Sequence, residues 1–260
     1  MSDAGRRGVS TPMKGKLVLI TGAGSGIGRA TAMLMAKKGA KVALMGRRAG
    51  LIHQAVSTIS RKGGSACGFS GDTTREESVQ EVVGGVLRTW GRIDVLVNNA
   101  GLPAEGRPVH ATTDQEWHEI IDANLTGSFR MVRAVLPLFM KKKAGIIVNV
   151  SSIAGLVGMP RMGAYSVAKS GLLALTRSVA AEYARHGIRC NCICPGTVRT
   201  PMTEDYLADP ERHLMAEQAS LLGRIARPSE IAHGILFLAS GESAFLTGSV
   251  LIADGGYTAV

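Results

Sequence analysis

The sequence predicts an α/β fold: a single doubly wound parallel sheet of about seven strands with helices on both faces. Short apolar runs alternate with longer stretches of helical periodicity, which is the pattern of repeated βαβ units. Hydrophobic residues make up 45% of the chain and aromatic residues only 4%, so the core is aliphatic, as strands buried on both faces require. A length of 260 residues fits one large α/β domain.

The predicted elements follow one another in strict alternation, and right-handed crossovers between parallel strands then place helices on both faces. The candidate strands are KLVLIT (16–21), KVALM (41–45), SACGFS (65–70), IDVLVNNA (93–100), GIIVNVSS (145–152), IRCNCICP (188–195) and SVLIADGG (249–256). The helical patterns lie near 27–38, 48–62, 74–90, 114–143, 164–186 and 228–240.

Two segments lie outside this alternation. Residues 1–13 have no apolar core of a secretory signal and are expected to form a disordered basic tail. A mitochondrial presequence is the alternative, which Asp3 and the lack of an amphipathic stripe disfavour. Residues 14–260 form the predicted domain, in which 200–227 has its own helical pattern and is expected to act as a substrate lid.

Charge and hydropathy exclude two classes of partner. The formal charge of +10 comes from scattered residues, and no nucleic-acid-binding motif accompanies it. No apolar stretch reaches the roughly 18 residues of a membrane span. We therefore expect a cytoplasmic protein that binds neither nucleic acid nor membrane.

The four cysteines do not suggest a metal site. We expect Cys190 and Cys194 to point to one face of their strand and Cys192 to the other, so that they cannot share one ion. Cys67 is isolated, and no CxxC motif or histidine pair supports zinc. Free thiols in a reducing compartment, and no bound metal, are the prediction.

A glycine-rich turn follows the first strand, in TGAGSGIGRA, with the spacing T-G-x-x-x-G-x-G. Glycines allow positive φ and let the backbone approach a phosphate, which the next helix N-terminus attracts. A tight structural loop is the alternative, but the position inside the first βαβ unit favours a dinucleotide site.

The second strand ends in ALMGRRAG, where a dinucleotide site usually carries an acid for the ribose 2′-hydroxyl. Arg47 and Arg48 stand there instead, and a guanidinium can pair with a 2′-phosphate. This favours NADP(H), with NAD(H) possible; two solvated arginines at a helix start are the alternative.

Tyr165 and Lys169, in AYSVAKSG, are four residues apart and share one helix face. A cation within a few ångströms favours the phenolate, so we expect Lys169 to lower the pKa of Tyr165. A helix surface pair without function is the alternative when the two residues are taken alone.

Taken in order, TGAGSGIG (21–28), NNAG (98–101), Asn124, SS (151–152), YSVAK (165–169) and PGTVRTP (195–201) resemble the short-chain dehydrogenase/reductase family. The similarity runs from about residue 14 to the end of the chain. It implies a Rossmann-type domain, a nicotinamide cofactor, and a homotetramer or homodimer.

The resemblance also assigns roles to residues. Tyr165 is the implied acid/base, Lys169 its partner, Ser152 the donor to the substrate oxygen, and Asn124 the fourth catalytic residue. The implied cofactor contacts are Gly22, Ser25, Gly26, Ile27, Gly28, Arg47, Arg48, Asp72, Thr73, Asn99, Tyr165, Lys169, Val198 and Thr200.

The function expected from this set is interconversion of a secondary alcohol and a ketone by hydride transfer to or from NAD(P). Reduction of 3-oxoacyl groups on acyl-carrier protein is the alternative, and a non-catalytic dinucleotide-binding protein is a remote one. The apolar residues around the active set predict a hydrophobic or medium-sized substrate, cyclic ones included: Ile153, Ala154, Leu156, Met159, Met162, Met202, Tyr206 and Leu207.

Overall fold

A computed structural model describes residues 12–104 and 106–260 and contains a seven-stranded sheet in which all neighbouring strands are parallel. The strand order is β3-β2-β1-β4-β5-β6-β7. All seven predicted strands are confirmed, most with small changes at their ends. They are β1 (Leu17–Thr21), β2 (Lys41–Gly46), β3 (Ser65–Ser70), β4 (Val95–Asn98), β5 (Gly145–Val150), β6 (Ile188–Pro195) and β7 (Val250–Ala253).

Helices cover both faces of the sheet, as a doubly wound fold requires. Helices α1, α2 and α9 pack on one face, and α3, α5 and α6 pack on the other. The helices are α1 (Gly26–Lys37), α2 (Ala49–Arg61), α3 (Glu76–Trp90), α4 (Asp114–Ile121), α5 (Gly127–Lys142), α6 (Gly163–Tyr183), α7 (Glu204–Ala208), α8 (Pro210–Gln218) and α9 (Pro228–Ala239).

The aliphatic composition of the strands follows from this arrangement. In β1, Val18 and Ile20 contribute to the core under α1 and α9, whereas Leu17 and Leu19 contribute to the core under α3 and α5. Successive side chains of a strand point to opposite faces, so a strand covered on both sides must be apolar at every position.

The single helix predicted over 114–143 is wrong in one respect, because a π-helical turn at Asp122–Thr126 separates α4 from α5. The start of α4 is fixed by a capping box, in which Thr113 and Glu116 each accept from the other's backbone N–H. The apolar periodicity continues through the π turn, so the sequence pattern does not reveal it.

The predicted split of the cysteines between two faces is also wrong. Residues i, i+2 and i+4 of a strand share a face, so Cys190, Cys192 and Cys194 all point toward α6. Cys190 packs with Val179 of α6, and Cys192 and Cys194 pack with Leu173 of the same helix. In the described part of the chain, no group of three or more His, Cys, Asp or Glu side chains is arranged to hold a metal ion.

Two predicted segments lie outside the alternation of strands and helices, namely the N-terminal tail and the substrate lid. Most of the predicted tail, residues 1–11, lies outside the described residues, but Met13 is fully buried in the core, so the domain begins earlier than predicted. The predicted lid segment contains α7 and α8. Across residues 12–104 and 106–260, no helix combines the length and the apolar character needed to cross a bilayer.

Candidate active site

A cleft of about 530 Å³ opens at the carboxyl ends of the strands, where the sheet order reverses between β1 and β4. Open α/β sheets bind ligands at this switch point, and pockets for small molecules have volumes in this range. Most residues predicted for the site line this one cleft: Gly22, Ser25, Gly26, Ile27, Arg47, Arg48, Asp72, Thr73, Asn99, Asn124, Tyr165, Lys169 and Thr200.

Three predicted residues are not in the cleft wall. Gly28 packs inside the protein, where a Cβ would collide with the Gly22 carbonyl oxygen and the Asn99 amide nitrogen. Val198 is buried, and its carbonyl accepts a hydrogen bond from the Thr203 hydroxyl at 2.7 Å. Ser152, the third, lies behind the cleft wall near the Tyr165 side chain.

The glycine-rich turn has the geometry that a phosphate group needs. Gly22 and Gly26 have φ of +63° and +52°, and a Cβ on Gly22 would lie 2.8 Å from the Asn99 amide nitrogen. That amide in turn donates to the carbonyls of Thr21 (3.0 Å) and Gly22 (3.2 Å), so Asn99 braces the turn. The turn therefore presents bare backbone to the cleft.

The start of α1 completes the fit to a dinucleotide. No side chain caps this helix, and its first turn contains no acidic residue. Its free N–H groups and positive dipole end are therefore available to an anion such as a pyrophosphate.

Basic residues flank the cleft at the end of β2. Arg47 and Arg48 are exposed, and Arg48 Nη2 donates to Ser25 Oγ at 3.3 Å. The carboxylate at the end of β3, Asp72, is occupied locally, since its Oδ1 accepts from the backbone and hydroxyl of Thr74 at 3.0 and 2.9 Å.

Tyr165, Lys169 and Ser152 meet at the opposite end of the cleft. Tyr165 and Lys169 lie one turn apart on α6, with Lys169 Nζ 5.5 Å from the centre of the Tyr165 ring. Ser152 directly follows Ser151 at the end of β5, where its Oγ accepts from the Ala154 N–H at 3.2 Å and its side chain lies near enough to Tyr165 to affect the pKa of the phenol. The Ser151 hydroxyl instead donates to the Lys169 carbonyl at 2.8 Å, which leaves Ser152 as the serine beside the phenol.

The expected lowering of the phenol pKa by Lys169 is wrong for this structure. Burial raises the pKa of Tyr165, and the hydrogen bond with Ser152 opposes this only in part. Lys169 Nζ donates to the Val150 carbonyl at 3.1 Å, and burial lowers the pKa of its ammonium to about 8. Tyr165 is therefore protonated at neutral pH, which is the state of a proton donor.

Asn124 is placed beside this group by the π turn. Its Nδ2 donates to the carbonyls of Leu102 (3.2 Å) and Ile120 (3.1 Å). Its Oδ1 is buried and has no donor among the described residues. Gly101 separates it from the lysine: a Cβ there would collide with Oδ1 and lie 3.7 Å from Lys169 Nζ.

The apolar lining differs from the prediction. Met202 lines the cleft, but Ile153, Ala154 and Leu207 are buried away from it. The remaining four predicted residues, Leu156, Met159, Met162 and Tyr206, are partly or largely exposed and do not form its wall. Four apolar residues of the cleft wall were not predicted from the sequence. They follow the carboxyl ends of β2 and β4, where ligands of such sheets bind, so their position in the chain could have indicated them: Leu51, Ile52, Leu102 and Pro103.

Comparison with known proteins agrees with this geometry. Residues 22–258 match a family model described as enoyl-(acyl carrier protein) reductase. The chain is 41% identical over 244 residues to cyclopentanol dehydrogenase of Comamonas sp., covering 94% of this chain and 97% of that protein. It is 39% identical over 248 residues to the 3-oxoacyl-[acyl-carrier-protein] reductase of Thermotoga maritima, covering 94% and 98%.

A solved structure shares the whole fold. It is that of a protein from Beutenbergia cavernae assigned as an NAD(P)-dependent gluconate 5-dehydrogenase, with NADP bound at low occupancy. The TM-score is 0.91 at 33% sequence identity, and the match covers 96% of this chain and 100% of that one. The chain therefore belongs to the short-chain dehydrogenase/reductase family and is an NAD(P)-dependent oxidoreductase acting on hydroxyl and ketone groups.

Proposed function

We propose that Tyr165 is the proton donor and acceptor of this oxidoreductase, with Ser152, Lys169 and Asn124 as its partners. One observation carries the proposal: Tyr165 lines the cleft with Lys169 one helical turn away, and Lys169 Nζ lies 5.5 Å from the centre of the Tyr165 ring. When bound, the nicotinamide supplies or accepts the hydride.

In carbonyl reduction, the Ser152 hydroxyl donates a hydrogen bond to the substrate oxygen, and this bond strengthens as the oxygen gains charge. Tyr165 then transfers its proton to that oxygen. The Lys169 ammonium stabilises the phenolate that remains, because the two side chains lie on the same face of α6 in a buried site. The free Oδ1 of Asn124 is an acceptor for a water beside Lys169 Nζ.

The cofactor is proposed to be NADP(H) in preference to NAD(H). Arg47 and Arg48 line the cleft at the end of β2, and Arg48 rests on Ser25 of the glycine-rich turn. Guanidinium groups at this position suit a 2′-phosphate, and a similar structure contains NADP. To test this preference, the protein is titrated separately with NADPH and with NADH, and the dissociation constants obtained from cofactor fluorescence are compared.

The proposed substrate is a hydrophobic or medium-sized secondary alcohol or ketone, including cyclic ones. Leu102, Pro103 and Met202 give the cleft apolar walls, and the Comamonas relative is a cyclopentanol dehydrogenase. Reduction of 3-oxoacyl groups on an acyl-carrier protein is the second candidate. The Thermotoga maritima relative and the net charge of +10, which would attract an acidic carrier, support it.

A turnover panel separates these candidates. Purified protein with each reduced cofactor is offered cyclopentanone, cyclohexanone, an acetoacetyl thioester and 5-ketogluconate, and Tyr165→Phe is measured beside it. We expect cyclic ketones to be preferred and Tyr165→Phe to bind cofactor normally but lose turnover by at least about 100-fold. Wild-type turnover in Tyr165→Phe would remove the assigned role, and preference for the thioester would favour the second candidate.

The proposed assembly is a homo-oligomer, and the proposed location is the cytoplasm. A homotetramer or homodimer is supported by exposed apolar side chains such as Phe129 on α5 and Ile252 on the edge strand β7. A cytoplasmic location is supported by four free thiols. Light scattering of the purified protein tests the first, and cell fractionation tests the second.

A further inference from the structure

The threonine at the start of α7 does not cap the helix that it precedes. Thr203 is the N-cap residue of α7, a position where a hydroxyl usually accepts from the first N–H groups of the helix. Within the described residues, none of the N–H groups of α7 donates to the Thr203 hydroxyl. This half-buried hydroxyl is bonded instead to the chain that enters the predicted lid segment.

Three contacts join the Thr203 hydroxyl to residues just before it. Its Oγ1 donates to the Val198 carbonyl at 2.7 Å, accepts from the Thr200 N–H at 3.0 Å, and lies 3.3 Å from the Thr200 hydroxyl. A hydroxyl has one proton and two lone pairs, so all three contacts are compatible when the Thr200 hydroxyl is the third donor. One side chain thus fixes backbone groups on both sides of Arg199.

The backbone ahead of these contacts is held by a short parallel bridge. Val198 pairs with Ala226, where the Arg199 N–H donates to the Ala226 carbonyl at 2.9 Å and the Ala226 N–H donates to the Thr197 carbonyl at 3.1 Å. The predicted lid segment therefore leaves the sheet domain and returns to it at one fixed point. Beyond that point, the Thr203 hydroxyl and one backbone hydrogen bond between residues 203 and 200 set the course of the chain.

The residues fixed in this way form part of the cleft wall. Thr200, Pro201 and Met202 line the cleft together with the glycine-rich turn. A Cβ on Gly26 would lie 3.2 Å from Thr200 Cγ2, so Thr200 rests closely against Gly26. Gly26 is the first residue of α1, whose N–H groups are available to a pyrophosphate. Thr200 therefore lies beside the part of the cleft that suits the phosphates of a dinucleotide.

We propose that Thr203 is a positioning residue for the cofactor, because its hydroxyl holds Thr200 against the start of α1. Thr203 is not among the described residues that line the cleft, so it acts through Thr200. The inference rests on the proposal that a nicotinamide dinucleotide binds in this cleft, and it adds a residue behind the wall. Without the hydroxyl, the Thr200 N–H loses its acceptor, and residues 200–202 are no longer held beside Gly26.

Thr203→Val tests this role, because valine has nearly the same shape as threonine and lacks the hydroxyl. The dissociation constant for NADPH, measured by fluorescence titration, should rise about 5- to 10-fold, since hydrogen bonds that order the cleft wall are lost. Thr203→Ser keeps the hydroxyl and should stay within about 2-fold of the wild type. An unchanged dissociation constant in Thr203→Val, or an equal loss in Thr203→Ser, would overturn the inference.

Thr89→Val is the matched control. It also removes a threonine hydroxyl that donates to a backbone carbonyl, that of Gly85 at 2.8 Å, but Thr89 lies near the end of α3 and outside the cleft wall. It should leave the dissociation constant for NADPH unchanged. The same loss in Thr89→Val as in Thr203→Val would mean that any missing hydroxyl weakens binding, and the inference would fail.

A double-mutant cycle with Thr200→Ala separates positioning from a general loss of order. Thr200→Ala removes the side chain that contacts Gly26, so Thr203 then has no such side chain to hold. Adding Thr203→Val to Thr200→Ala should raise the dissociation constant by less than about 2-fold, because residues that act as a unit are not additive. Effects that multiply in full would show that Thr203 does not act through Thr200.

A second readout does not depend on cofactor binding. In the full-length protein without cofactor, hydrogen exchange of the Thr200 amide should be at least about 5-fold faster in Thr203→Val than in the wild type, because the amide has lost its acceptor. Unchanged exchange would overturn the inference. If the wild type binds neither NADPH nor NADH, the proposed function fails, and this exchange measurement still decides whether Thr203 holds Thr200.

Discussion

Replacing Arg48 by glutamine should reduce the discrimination between NADPH and NADH. Arg48 lies at the mouth of the cleft, 3.3 Å from Ser25 Oγ, and keeps its guanidinium exposed. A charge pair at about 4 Å contributes ~1 kcal/mol in bulk water and ~4 kcal/mol near a protein surface. Because this site is open to solvent, we take ~1.5 kcal/mol, which corresponds to about a 10-fold loss of kcat/KM for NADPH.

The double change Arg47→Gln/Arg48→Gln should lower kcat/KM for NADPH by more than the single change and by at most about 100-fold, since two arginines that share one phosphate do not contribute additively. The value for NADH should change by less than about 3-fold, because NADH lacks the phosphate. Steady-state assays with both reduced cofactors at fixed ketone measure the ratio. Arg61→Gln, at the far end of α2, is the control.

The result that would refute this reasoning is an equal loss for both cofactors. It would mean that the arginines act on a part of the dinucleotide that NADH and NADPH share. An unchanged NADPH value in the double variant would instead show that the two side chains are solvated surface residues, the alternative that the sequence left open.

Three further predictions concern the pH response, the active-site spacing and the stability of the fold. Ketone reduction by the wild type should fall above pH about 8, because the Lys169 ammonium is lost as the pH rises through its lowered pKa; a rate that still rises there in stopped-flow assays would contradict this. Gly101→Ala should lower kcat by at least about 10-fold, because the added methyl group collides with Asn124 Oδ1. An unchanged kcat would contradict this and would show that the Asn124 amide has room to move. Arg189→Lys should lower the free energy of unfolding by about 2–3 kcal/mol in urea titrations. The guanidinium donates to the carbonyls of Leu246, Leu238 and Ser240 and to the Ser243 hydroxyl, and a lysine cannot satisfy all four. The KM for the ketone should stay the same, and an unchanged unfolding midpoint would contradict the prediction.

The strands and the phosphate-binding turn could be predicted from the sequence because local rules decide them. A strand covered on both faces is apolar at nearly every position, and the positive φ of Gly22 and Gly26, with the close approach of Asn99 to Gly22, favours glycine. The position of the cleft follows from strand order, which right-handed crossovers fix in turn.

The electrostatics of the site could not be predicted in the same way. The spacing of Tyr165 and Lys169 shows that the two side chains share a helix face, but the pKa of each depends on how much water surrounds it. Burial, which the pattern of one helix does not reveal, reverses the expected direction for the phenol. The apolar walls of the cleft were missed for a related reason, since Leu102 and Pro103 reach it from a loop after β4.

The π turn between α4 and α5 decides where the Asn124 side chain lies. A π turn corresponds to one residue inserted into a regular helix, at the expense of its hydrogen-bond ladder. Removing one residue from Asp122–Thr126 would restore the regular hydrogen bonds and join α4 and α5 into one helix. It would also rotate Asn124 away from Lys169. The position of Asn124 in the cleft therefore depends on the irregular turn, and a variant with a regular helix there would lose it.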